Sequence, residues 1–182
     1  GVTTELNPWD AFNPGRLDQH LYPYYARETK AGTLTREQAE ELLHCFWIKF
    51  NNQPAPPKVG VTAAESGTYT DFAQINTGGV KADGSDAVNE VSYLLLEVID
   101  EMSPILEPKP NVRLHRGSPD ELLDKVVQMI ADSQGSPFLL NFDERSMAGM
   151  MLQARKAGVE HLINAANVYD YAPVGCLENT MV

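Results

Sequence analysis

Apolar residues recur at helical spacing in two stretches of the chain and alternate with polar ones in a third. Ala39, Leu42, Leu43, Phe46, Trp47 and Phe50 form one stripe at i, i+3 and i+4 spacing, and Thr35 with Gln38 supplies a capping box just ahead of it. A helix is therefore predicted from Thr35. Pro54, Pro56 and Pro57 follow; each removes a backbone donor and fixes φ, so the helix ends near Asn51 and an extended connector runs to Lys58. The spacing of Ala87, Val91, Leu94, Leu95, Val98 and Met102 predicts a second helix, starting near Asp86 and closed by Pro104. From Asn111 to Arg116 the pattern alternates as in a strand, and Ser118 with Glu121, flanking Pro119 at the first helical position, opens a helix to about Ser133. Pro137 to Asn141 reads as a short buried strand and Ser146 to Ala157 as a helix stopped by Gly158. Strand, helix, strand, helix in that order implies parallel pairing and an α/β class.

The remaining segments carry other signals. Gly1 to Tyr25 is rich in aromatic residues and Asn, with Pro8, Pro14 and Pro23 breaking any long element, so an ordered loop leading into a short helix is expected. Val59 to Asp86 is Gly- and Thr-rich, with a Gly78-Gly79 pair and an Asp83-Gly84 turn signal. Gly78 and Gly79 read as sites of a turn or of close backbone approach. Tyr171 to Cys176 contains Pro173 and Gly175 and reads as a loop. The sequence has neither an internal repeat nor a low-complexity tract.

Composition narrows the partners. With 182 residues of which 43% are hydrophobic, the chain can bury a sizeable core. A formal net charge of −11, with no cluster of Lys and Arg, argues against nucleic acid. No apolar run approaches the length needed to cross a bilayer and the first residues lack a signal-peptide pattern, so a cytoplasmic protein without membrane contact is expected. Cys45 and Cys176 are the two cysteines and lie far apart, which suggests neither a disulfide framework nor a zinc site. The chain starts with Gly and stops soon after a loop-like segment; residues 1–182 are read as an internal piece of a longer protein.

On spacing alone, a lone cysteine is more often a small buried apolar residue than a catalyst. Cys176, however, lies in a Pro/Gly loop after a strand–helix unit, where α/β sites gather, and Glu178 stands two residues on as a candidate acid or base. His20, His44, His115 and His161 show no mutual metal spacing and read as surface or hydrogen-bonded residues. Cys45 reads as inert packing beside a helical core stripe. Arg16 and Asp18 are readable as a structural ion pair or as substrate contacts.

Three segments carry a family resemblance. Phe12 to Tyr25, reading FNPGRLDQHLYPYY, closely resembles a glycyl radical enzyme signature; Gly78 to Leu95, reading GGVKADGSDAVNEVSYLL, resembles a second; and Gly175-Cys-Leu-Glu178 matches the cysteine loop. The order and the strand–helix grammar between them extend the resemblance over nearly the whole chain. The chain is thereby identified as a member of the glycyl radical enzymes of the pyruvate formate-lyase superfamily. The resemblance implies a ten-stranded β/α barrel, of which this chain supplies part of the first half and the cysteine loop. It implies that a radical S-adenosylmethionine activating enzyme makes a radical on a glycine that then oxidises Cys176 to a thiyl, and that the thiyl abstracts hydrogen from a small substrate. Asn13 occupies a place where relatives bring substrate-contacting groups, and Arg16 and Asp18 are further candidates there. The radical glycine belongs to a C-terminal R-V-x-G motif, which this sequence does not contain; the C-terminal glycyl radical domain is expected outside it, with no metal or organic cofactor on this chain.

The flanks of Cys176 are Gly175 and Leu177 instead of a second cysteine, which argues against thioester chemistry on pyruvate. Asn7 to Pro14 and Gly175 to Met181 resemble most the alkyl- and benzylsuccinate synthases, implying addition of a hydrocarbon to fumarate by a homodimer or small-subunit complex. The alternatives are a glycyl radical decarboxylase, a dehydratase or C–N lyase using Glu178 for proton transfer, and, from another class, a non-catalytic module or one part of a split enzyme.

Overall fold

A computed structural model describes residues 13–51, 73–105, 108–132, 138–175 and 178–181. Cys176, Leu177, the proline-rich connector and the first twelve residues therefore lie outside the described residues. In chain order the elements are helices α1 (Leu17–Lys30) and α2 (Arg36–Asn51), strand β1 (Gln74–Gly78), α3 (Glu90–Glu101), β2 (Lys109–Leu114), α4 (Asp120–Asp132), β3 (Leu139–Phe142), α5 (Asp143–Ala157), a 3₁₀ turn (Val168–Asp170), and strands β4 (Tyr171–Val174) and β5 (Glu178–Met181).

The central sheet has the order β1-β2-β3, parallel throughout. The parallel pairing expected for Val112–His115 and Phe138–Leu140 is present, with Val112 opposite Leu140. One face of this sheet is apolar: Ile75, Val112 and Leu114 join Leu17, Leu43, Trp47, Val91, Leu94, Leu122 and Val126 in a single core. Apolar burial at about 25 cal/mol per Å² is what holds the helices to that face. On β3 the corresponding residues Leu140 and Phe142 are 39% and 54% exposed, because β3 is the edge of the described sheet.

Local signals account for three helix ends. The Thr35 and Gln38 capping box forms, with Gln38 Oε1 accepting from Thr35 N at 2.9 Å and Thr35 Oγ1 accepting from Gln38 N at 3.2 Å. Asn89 caps α3 by accepting from Val91 N and Ser92 N, so that helix starts at Glu90 instead of near Asp86. α5 ends in a left-handed Gly158 at φ 69°, with Val159 N donating to Ala154 O at 2.9 Å. None of the described helices is long and apolar enough to cross a membrane.

Three elements differ from expectation. α1 runs through Pro23 for 14 residues; Pro23 is exposed, so its ring meets no packed neighbour on that side. β1, reading QINTG, was hidden by its polar residues, yet all five are buried. The segment read as a loop from Tyr171 is instead an antiparallel hairpin, β4 with β5, in which Pro173 pairs with Asn179. Proline is tolerated there because, among the described residues, β4 pairs with a strand on one side alone and needs no donor from it on the other.

Candidate active site

Parallel register places Gln74 and Asn76 of β1, Asn111 and Arg113 of β2 and Asn141 of β3 on the sheet face opposite the apolar core. Period-two alternation does this. In a barrel that face looks inward, and Gln74, Asn76, Asn111 and Arg113 are all fully buried. Polar groups removed from water need partners, and here they are other side chains of this face, Asp143, and backbone carbonyls of the β4–β5 hairpin and the turn leading into it.

Arg113 donates to Tyr171 O at 2.8 Å and to Tyr169 O at 2.9 Å. Arg16 donates to Tyr169 O at 3.2 Å. Asn76 donates to Pro173 O at 3.1 Å, Asn13 donates to the same oxygen, and Gln74 donates to Gly175 O. The carbonyl of the residue immediately before Cys176 is thus held by a side chain of β1. A cavity beside the hairpin is lined by Asn13, Pro14, Gly15, Ala172, Val174, Thr180 and Met181.

The base of this seat is a buried ion pair. Arg113 and Asp143, neither exposed to solvent, make a two-pronged contact at 2.9 and 2.8 Å. Asp143 also accepts from Val80 N at 2.8 Å and from the Tyr171 hydroxyl at 2.8 Å, while the Arg113 guanidinium lies 4.0 Å from the Tyr171 ring centroid. Burial, reinforced by the Asp143 carboxylate, pushes the Tyr171 hydroxyl well above the usual phenol range, which keeps it a donor. Burial, and then the positive charge of Arg113, lower the Arg16 pKa, with Asp18 and Asp170 opposing.

Gly78 and Gly79 are sites of close approach, as the sequence suggested. A Cβ on Gly79 would lie 2.7 Å from Arg113 Nε and 2.8 Å from Asp143 Oδ2, and φ there is +83°. Gly79→Ala is expected to cost about 2 kcal/mol or more, combining left-handed backbone strain with overpacking of the ion pair. A drop in the denaturant midpoint of that size checks it, and an unchanged midpoint contradicts it.

The residues singled out from sequence occupy distinct places. Glu178 opens β5 opposite Val174 and is exposed. Asn13 accepts from Gly15 N at 2.8 Å while donating to Pro173 O. Arg16 pairs with Asp170 at 3.4 Å and donates to Gly78 O at 3.2 Å and Val80 O at 2.9 Å. Asp18 is fully buried and accepts from Thr77 Oγ1 at 2.9 Å, Gly78 N at 2.8 Å and Ser92 Oγ at 2.6 Å. Arg16 and Asp18 thus tie two separate parts of the fold to the β1 end. His115 meets Asp86 at 2.9 Å and His44 meets Glu101 at 3.1 Å, in keeping with hydrogen-bonded histidines. Gln74, Asn76, Asn111, Arg113, Asp143 and Tyr171 were not singled out from sequence; the polar members of Asn111-Val-Arg-Leu carried the signal, since a strand covered on both faces must aim them at a polar interior.

All 182 residues match the family described as "Pyruvate formate lyase-like". The chain belongs to this family. Among pyruvate formate lyase-like proteins it is 51% identical over 162 residues to trans-4-hydroxy-L-proline dehydratase of Clostridioides difficile, covering 87% of this chain and 20% of that protein. It is 35% identical over 164 residues to (2S)-3-sulfopropanediol dehydratase of Klebsiella oxytoca, covering 90% of this chain and 19% of that protein. The crystal structure of the C. difficile hydroxyproline dehydratase with trans-4-hydroxy-L-proline bound superimposes with a TM-score of 0.84 at 46% identity, over 98% of this chain and 21% of that one. The chain spans about a fifth of the length of the relatives it matches, and its fold is that of a partial β/α barrel of glycyl radical enzymes.

These likenesses correct one expectation. The expected closeness to alkyl- and benzylsuccinate synthases, with hydrocarbon addition to fumarate, gives way to a likeness to dehydratases. The physical reason lies in the residues that suggested it. Asn13 holds the hairpin backbone, a task indifferent to the substrate, and the rest of Asn7 to Pro14 and of Gly175 to Met181 includes residues outside the described ones.

Proposed function

We propose that the full-length protein is a glycyl radical dehydratase that removes water from a hydroxylated substrate of the trans-4-hydroxy-L-proline class. The observation that carries this is 51% identity over 162 residues with trans-4-hydroxy-L-proline dehydratase, a stretch long enough to include the inward polar face and most of the hairpin seat. In this reading the Cys176 thiol is the hydrogen-atom relay, which demands a polarizable S–H held in contact with the reacting carbon more than it demands acidity. Glu178 moves the proton that lets the hydroxyl leave as water. Asn13, Arg16 and Asp18 shape the mouth of the barrel through the backbone they hold. A radical S-adenosylmethionine activating enzyme is the implied partner, the radical glycine lies outside residues 1–182, and a homodimer in the cytoplasm is the expected setting.

The test is anaerobic activation of the full-length protein followed by incubation with trans-4-hydroxy-L-proline, reading loss of one water by mass spectrometry. Turnover is expected, and Glu178→Gln should lower it by roughly two to four orders of magnitude. Activity on a sulfonated or plain diol with none on hydroxyproline would move the substrate assignment to the other dehydratases. A Glu178→Gln variant of undiminished rate would remove Glu178 from the proton step.

A further inference from the structure

We propose that Gln74 is a positioning residue for the cysteine hairpin, acting at the end of a one-way relay of side-chain amides that crosses all three strands of the sheet. The inference rests on the functional reading above only in taking Cys176 as the reacting thiol. Asn141 Nδ2 donates to Asn111 Oδ1 at 2.8 Å, Asn111 Nδ2 donates to Gln74 Oε1 at 3.0 Å, and Gln74 Nε2 donates to Gly175 O.

The direction of this chain is dictated by its terminus. A main-chain carbonyl can only accept, so Gln74 must turn its nitrogen toward Gly175 and its oxygen toward Asn111. Asn111 must then present its own nitrogen to Gln74 and its oxygen to Asn141. Each link polarises the next in the same sense, so the bond to Gly175 is stronger than an isolated amide contact would be. Gln74 and Asn111 are both fully buried, where no water competes for either amide.

A second observation shows the fold giving priority to the hairpin over its own polar balance. Asn76 turns its nitrogen to Pro173 O and leaves its Oδ1 buried without a partner among the described residues. A buried orphan acceptor is disfavoured. It persists because the other orientation would oppose two carbonyl oxygens at Pro173. Between them, Gln74 and Asn76 grip the hairpin at Pro173 and Gly175, the carbonyls three residues and one residue ahead of Cys176.

The experiment uses the full-length protein in three forms: wild type, Gln74→Leu, which keeps the bulk and removes the donor, and Asn141→Leu, at the half-buried far end of the relay. Amide hydrogen exchange and the alkylation rate of Cys176 report the seat whatever the reaction turns out to be. With Gln74→Leu, exchange across residues 171–181 and Cys176 alkylation are expected to accelerate about tenfold. With Asn141→Leu the same two signals should rise by about threefold, transmitted through Asn111. In the activated enzyme, Gln74→Leu should lower kcat about tenfold or more with KM nearly unchanged, and should raise the isotope effect on the abstracted substrate hydrogen as that step becomes limiting. Exchange in 171–181 that stays at the wild-type rate in a folded Gln74→Leu overturns the proposal. If Gln74→Leu does not fold, an unchanged hairpin in Asn141→Leu does so. A wild type that carries the radical yet ignores hydroxyproline touches only the substrate assignment.

Discussion

Cys176→Ser in the activated full-length enzyme is expected to abolish turnover while leaving the glycyl radical itself intact. Serine is close to cysteine in size, and the seat made by Gln74, Asn76 and Arg113 holds the carbonyls of Gly175, Pro173 and Tyr171, so it should be undisturbed. What changes is the bond to be broken. A serine O–H is too strong for a carbon-centred radical to cleave at a useful rate, whereas a thiol S–H is matched to it, so the relay stops before any substrate hydrogen moves. Two measurements on one sample decide the matter: the radical spin count by electron paramagnetic resonance, expected near the wild-type level, and product formation, expected at background. Cys45, the other thiol, is exposed on α2, and is the control: Cys45→Ser should retain full activity. Full activity in Cys176→Ser would end the radical reading of this chain.

Asp143→Ala is expected to lower the unfolding free energy by about 3–5 kcal/mol, because it strands the Arg113 guanidinium in a site without solvent. The loss is compounded by the Val80 amide and the Tyr171 hydroxyl, each of which donates to that carboxylate. Asp143→Asn should be milder, since the amide oxygen still accepts, though its NH₂ group now faces the guanidinium. Urea unfolding with the slope held constant reads both values. A loss under about 1 kcal/mol for Asp143→Ala would mean that water reaches Arg113, and the account of the site as a dry ionic centre would fail.

What could be read from the residues depended on whether the cause was local. The capping box at Thr35 and Gln38 and the Gly158 stop act within a few residues, and each left its mark in the sequence, whereas the start of α3 was expected near Asp86, ahead of the Asn89 cap that sets it. The parallel pairing of β2 with β3 followed from element order. β1 was not legible, because QINTG lacks the apolar alternation of a half-buried strand; its burial is imposed by the hairpin carbonyls, 97 and 101 positions away in the chain for Asn76 and Gln74. The hairpin itself was misread for a related reason: Pro173 and Gly175 signal a break in most contexts, and only the pairing of Tyr171 with Met181 at one end and of Val174 with Glu178 at the other reveals strands. The family could be recognised from motifs. The branch could not, because the motif residues that the structure describes are occupied in holding the frame, as Asn13, Arg16 and Asp18 show.

The frame takes hold of the turn and hairpin at four main-chain oxygens, those of Tyr169, Tyr171, Pro173 and Gly175, and at two side chains, Asp170 and Tyr171. Every amino acid carries a main-chain oxygen, so at Pro173 and Gly175 the docking is indifferent to which side chains are displayed. Such a mount works like a tool holder. The residues that follow Gly175 can be exchanged for others suited to a different leaving group while the hairpin keeps its station, and evolution can retool the chemistry of the barrel without rebuilding the barrel.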